Sequence, residues 1–113
     1  MSIEKADTVD FIGVEKKSGQ IALAISDHLD WNDEKAHLLK LQDKINTYLS
    51  FIESGEVYDA YPQAIDKSFV IKVYGKYALT DAAKRFYRKA GATLRKAGFG
   101  LRFIGRKRSG EAT

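Results

Sequence analysis

The sequence predicts an α+β domain of two layers, a two-layer sandwich in which two helices cover one face of a four-stranded sheet in the order β-β-α-β-α-β. Three observations predict it. Four short segments rich in β-branched, aromatic or alternating apolar residues are bounded by glycines and turns. Two longer segments repeat apolar residues at three- and four-residue steps. Each of these two has a single apolar stripe, so each has one side to bury and needs one face of a sheet to bury it against. With 113 residues, 44% hydrophobic and 12% aromatic, the chain has enough apolar material for one core without metal or disulfide support. A single domain is expected over 1–113, with flexible ends at about 1–7 and 106–113.

The elements follow in order. Val9 to Val14 and Ile21 to Ile25 make a hairpin, with Lys16, Lys17, Ser18 and Gly19 as its turn and Gly19 supplying the residue that tolerates positive φ. In the second strand Ile21, Leu23 and Ile25 share one face, and Ala22, Ala24 and Ser26 the other. From about Asn32 to Ser54 the stripe Leu38, Leu41, Ile45, Tyr48, Leu49 and Ile52 predicts a helix, with Lys40, Asp43, Lys44 and Asn46 opposite. Asp30 or Asn32 is expected to cap it, Asp33 and Glu34 suit its dipole, and Gly55 ends it in the left-handed conformation. Glu56 to Lys67 holds the only proline and reads as an ordered loop or short helical turn. Ser68 to Tyr74 is a strand closed by Gly75, and Phe99 to Ile104 is the last strand, with Phe99, Leu101 and Phe103 on one face. Between them Thr80 caps a second helix that carries Ala83, Phe86 or Tyr87, Ala90, Leu94 and Ala97 opposite Lys84, Arg85, Arg88, Arg95 and Lys96. Gly98 stops it, and Gly91 inside it marks either close packing or a weak point. If the last two strands are neighbours, they are expected to be parallel.

Charge is divided along the chain. Residues 1–67 hold 7 Lys/Arg against 13 Asp/Glu, and residues 68–113 hold 12 against 2, so the net +4 conceals halves of −6 and +10. Ten basic residues and no acidic one lie from Lys84 to Arg108. Such a layout suits nucleic acid, an anionic surface or an acidic partner, a second copy included. It also suggests ion pairs or an intermolecular contact joining the outer faces of the two helices. The absence of cysteine excludes disulfides, thiolate zinc sites and cysteine nucleophiles, and fits a reducing compartment. No apolar run approaches the roughly 20 residues that span a bilayer, and the N-terminus lacks the apolar core of a signal peptide. The expected location is the cytoplasm, with no membrane association.

The segments Val9 to Val14, Ile25-Ser26-Asp27-His28-Leu29-Asp30-Trp31, His37-Leu38-Leu39, and Ile45 to Leu49 leading into Phe51 to Gly55 resemble a small bacterial family of uncharacterised single-domain proteins. The resemblance covers nearly half the chain firmly. It implies a bacterial, free-standing domain of unknown function and brings no catalytic residues with it.

Asp27, His28, Asp30 and Trp31 stand at a predicted strand-to-helix junction, with Asp33, Glu34 and His37 close behind. Carboxylates and imidazole are metal ligands and general acids or bases. Here, however, no His-x-x-x-His step or other ligand spacing is present, and local duties in capping and packing account for these residue types. Neither a metal site nor a cofactor is assigned. Tyr58 and Tyr61, with Tyr74 and Tyr77, have the amphipathic character of interface residues, as partly buried core edges also do. Arg85, Arg88 and Arg95 with the tail Arg106, Lys107 and Arg108 are the candidate nucleic-acid contacts, although helical and strand phase put most neighbouring aromatics on buried faces. No glycine-rich phosphate loop and no Ser/His/Asp order in strand-turn-helix context is present. The leading expectation is therefore a non-enzymatic domain that acts through a protein partner or itself. The alternative is a nucleic-acid-binding module using the second helix and the tail, and the third reading is a metal-dependent enzyme.

Overall fold

Burial alternates along the strands, and that alternation builds the layers. In the computed structural model, which describes residues 3–105, β1 is Phe11–Val14, β2 is Ile21–Asp27, β3 is Phe69–Gly75 and β4 is Phe99–Gly105. Ile21, Leu23, Ile25, Phe69, Ile71 and Val73 point to the core side, while Ala24, Ser26, Lys72 and Tyr74 point away. The sheet order is β1-β2-β3-β4. The two-strand hairpin is antiparallel, and β2 with β3 and β3 with β4 are parallel. Each parallel pair is joined by a helical connection, as parallel pairing requires.

The three helices are α1, Glu34–Glu53, α2, Glu56–Ala60, and α3, Asp81–Lys96. From α1, Leu41, Ile45, Tyr48 and Ile52 join Leu94 of α3 and the inner strand residues in one core. Both long helices therefore lie on the same face of the sheet, and the α+β order is as the sequence predicts. The stretch after α1 is more regular than a loop. It holds α2 and a 3-10 turn at Pro62–Ala64, with Val57 and Ala64 fully buried.

Helix ends follow local chemistry, with one correction. Asp33, neither Asp30 nor Asn32, caps α1, its carboxylate accepting from the Ala36 N–H at 3.2 Å. Thr80 caps α3 by accepting from the Ala83 N–H at 3.1 Å. Gly55 ends α1 at φ 88°, a conformation that costs an L side chain energy and glycine little.

A second correction concerns Lys44. The sequence puts it on the polar side of α1, yet it is 0% exposed. Its Nζ donates to the Lys5 carbonyl at 2.6 Å and to the Thr8 carbonyl, and it pairs with Asp10 Oδ2 at 2.7 Å. Thr47 Oγ1 donates to the Ala6 carbonyl, and fully buried Ile3 sends its N–H to the Ser26 carbonyl at 3.1 Å. Within the stretch 1–7 expected to be a flexible end, Ile3 is thus bonded to β2, and Lys5 and Ala6 are bonded to α1.

Candidate functional site

The junction between β2 and α1 gathers the chain's most reactive residue types. Asp27 is the last residue of β2, is 3% exposed, and turns the chain by accepting from the Leu29 N–H at 3.1 Å. His37, one turn into α1 and 3% exposed, meets it: Nε2 lies 2.6 Å from Asp27 Oδ2, and Nδ1 lies 2.9 Å from the Asp30 carbonyl. A carbonyl oxygen only accepts, so Nδ1 carries a hydrogen. Nε2 and the Asp27 carboxylate oxygen are within hydrogen-bond distance, so the second ring nitrogen is also engaged inside the protein. Trp31 closes the site by stacking on His37, with centroids 3.7 Å apart and planes 21° from parallel.

This arrangement positions groups without offering one. Both imidazole nitrogens are bonded inside the protein and the ring is covered, so His37 has no nitrogen for a metal or a substrate. Asp30 makes a local turn, accepting from the Asn32 backbone at 3.0 Å and from its side chain at 3.2 Å. His28 points elsewhere. Its Nε2 is 3.7 Å from Glu4 Oε1, and its buried Nδ1 has no hydrogen-bond partner among the described residues. Among those residues no group of three His, Asp or Glu is placed to hold a metal ion. Tyr87 of α3 contributes a second buried polar atom, a hydroxyl with no hydrogen-bond partner among the described residues. Burial pushes this phenol well above the ordinary tyrosine range, and the negative charge of Asp27 adds to the rise.

The candidate tyrosines separate. Tyr58 lies edge-on to Phe69 at 6.3 Å, and half-buried Tyr61 packs on the core, so both border the hydrophobic interior near α2, away from the Asp27 turn in sequence and in partners. Tyr74, one of the interface-type tyrosines, and Phe11, which the sequence did not single out, stand on the outer face of the sheet, 46% and 63% exposed. Strand register puts Phe11, Ala24, Lys72 and Arg102 in one row across all four strands, with Ser26, Tyr74 and Ile104 in a neighbouring row. The other residues of this face include Gly13, Ala22 and Gly100, which keep its floor flat, and Val70, which fills the space above Gly100. Glu15 reaches across to pair with Lys72, and hydrogen bonds from Lys72 and then Ser18 hold its carboxyl below the ordinary carboxylate range.

On the opposite side of the molecule Arg85, Arg88 and Arg95 are exposed along α3 with Lys84, Lys89 and Lys96. The expected ion pairs between the outer faces of α1 and α3 are not found among the described residues. One reason is composition: α1 balances Glu34, Asp43 and Glu53 against Lys35, Lys40 and Lys44, so the acidity of the first half resides largely outside it. Arg106, Lys107 and Arg108 lie outside the described residues. Within the described part no helix is long and apolar enough to cross a membrane.

The model of a family of unknown function, DUF6572, matches residues 1–106, and the chain belongs to that family. No curated protein and no solved structure matches it.

Proposed function

We propose that this member of the DUF6572 family is a non-enzymatic interaction domain that takes a protein partner on the outer face of its sheet. The observation that carries the reading is the state of that face. Parallel strands are ordinarily covered on both sides, yet here β2, β3 and β4 are parallel and only the inner side carries helices among the described residues. The uncovered side presents Phe11, Tyr74 and Ile104 beside Arg102 over a floor of glycine and alanine. Aromatic residues and arginine are the types enriched at the centres of protein interfaces. The Glu15–Lys72 pair is already satisfied within the chain, so covering it strands no lone charge. The internal bonding of His37 supports a role without catalysis.

Covalent trapping tests this whatever the partner is. A photo-reactive phenylalanine analogue at position 74 should trap a discrete protein adduct in cells, its mass telling a second copy from another protein. The same analogue at position 39, an exposed leucine on the helix layer, should trap none. Adducts at 39 alone, or at neither position, would overturn the proposal.

A further inference from the structure

We infer that α3 is a docking surface for duplex nucleic acid, held through the sugar–phosphate backbones without base reading, on the side of the molecule opposite the proposed protein face. The inference starts from helical phase. At 3.6 residues per turn, Lys84, Arg88 and Arg95 form one ridge and Arg85, Lys89 and Lys96 a second about 100° around the axis. Both ridges point away from Ala83 and Leu94, the buried residues of α3. All six cations are exposed, and none pairs with a carboxylate among the described residues. The helix contains one acidic residue, Asp81, in its first turn.

The fold gains little from this charge. Lys84 with Arg88 and Arg85 with Lys89 are like-charge neighbours at i and i+4, an arrangement that weakens a helix. The helix dipole favours only Arg95 and Lys96, in the last turn. Of the remaining four, Lys84 and Arg85 have Asp81 three and four residues before them, whereas Arg88 and Lys89 have no carboxylate at either helical spacing. A groove of about 310 Å³ beside them, between α1 and α3, is lined by apolar Ile45, Leu49 and Phe86 and offers Gln42, Asn46 and Thr93 next to Lys89, neutral hydrogen-bonding groups of the kind that contact phosphate and sugar.

The neighbours also select the ligand. A basic helix binds a lipid surface by burying its apolar side in the bilayer, but here Leu94, Phe86 and Tyr87 pack on the core. Single strands are held by aromatic side chains on which bases stack, and the two ridges carry none, Phe86 lining the groove beside Lys89 while packing on the core. A protein interface needs an apolar anchor near its centre, and between the ridges lie only Ala92 and, in the first turn, Asp81. A helix fits the major groove of a duplex. Two cationic ridges extending roughly 18 Å along it face the phosphate backbones on either side.

Fluorescence anisotropy of the full chain with a labelled 20-base-pair DNA, a duplex RNA, a single strand and polyglutamate tests the inference. Duplex binding is expected at low salt. If four to six phosphates are neutralised, affinity should fall about 10²–10³-fold between 50 and 200 mM salt. The triple variant R85E/R88E/R95E, checked for folding by circular dichroism, should lose binding, and Arg88→Gln alone should lower the salt slope by about one. Absence of duplex binding, equal binding by the single strand, equal competition by polyglutamate, or an undiminished triple variant would each overturn it.

Discussion

On α1, Lys44 and His37 are 0% and 3% exposed and every polar nitrogen of their side chains has a partner within the chain, whereas on α3 six cations stand exposed without a described carboxylate to pair with. The helices lie side by side on one face of the sheet, so the difference is not one of layer. Ionisable groups on α1 fasten chain segments: Lys44 holds residues 5–10, and His37 holds the turn from Asp27 to Trp31. Those on α3 pair with no carboxylate among the described residues. Charge that a fold consumes is identified by its partners, and charge left without them is available to another molecule.

The largest effect that tests this contrast is at Lys44. Lys44→Ala removes a fully buried ammonium from its contact with Asp10 and strips two carbonyls of their donor, and each buried polar group so deprived costs about 1–3 kcal/mol. Urea unfolding should show a loss of that order; a loss under about 1 kcal/mol, the ordinary ceiling for an exposed pair, would break the comparison by putting Lys44 in the class of the α3 cations. His37→Ala should cost about 3 kcal/mol, since it leaves the buried Asp27 carboxylate unmatched. Trp31→Ala should cost less, about 2 kcal/mol, because its ring is only half-buried and its stack on His37 contributes about 1 kcal/mol beyond the area covered. If the tryptophan change proves the costlier, stacking rather than the Asp27–His37 contact holds the junction.

On α3 the expected changes are smaller and of the opposite sign. Tyr87→Phe removes a buried hydroxyl that lacks a hydrogen-bond partner among the described residues and should raise stability by about 1 kcal/mol. Because burial lifts the folded-state ionisation of Tyr87 above that of the unfolded chain, wild-type stability is present below about pH 10 and lost as pH rises beyond it. Denaturation in alkali should show a gentler decline for the phenylalanine variant. Gly91→Ala should likewise add about 1 kcal/mol, since a methyl there meets nothing within 4 Å; of the two readings of this glycine, the weak point is the one the packing supports. Arg88→Gln should shift stability by no more than about 0.5 kcal/mol in thermal melts, and a larger loss would mean that α3 does use its charge for folding. The smallest effect is at Glu15, whose folded-state ionisation lies below its unfolded value. Its contribution is present above the unfolded value and lost as pH falls through the folded one. Glu15→Gln and the wild type should therefore converge in acid.

Much of the site could be seen in the sequence and part of its meaning could not. Position 44 falls on the buried stripe of α1, three residues after Leu41 and four before Tyr48, so phase marks it as inside while residue type marks it as outside. His37 falls four residues before Leu41 by the same count. Phase was the better guide in both cases, because a helix packed on a sheet buries whatever occupies its inward positions and supplies partners where the occupant is polar. The Asp27–His37 contact spans ten residues and two elements. No spacing rule announces it, since its length depends on where the turn after β2 brings α1. Phe11 and Tyr74 lie 63 residues apart and meet on one face only through the register of four strands.

By itself the sequence determined the elements, their order, the inward face of each long helix and strand, the glycine stops at Gly55 and Gly98, and the basic side of α3. These depend on periodicity and on local backbone preference, which act within a few residues. Tertiary structure alone decided the strand order, the burial of Lys44 against residues 5–10, the pairing of Asp27 with His37, and an outer sheet face that carries no helix among the described residues. Those features depend on contacts between residues distant in the chain, where the choice is made by competition among packings of the whole domain and not by the preference of any one segment.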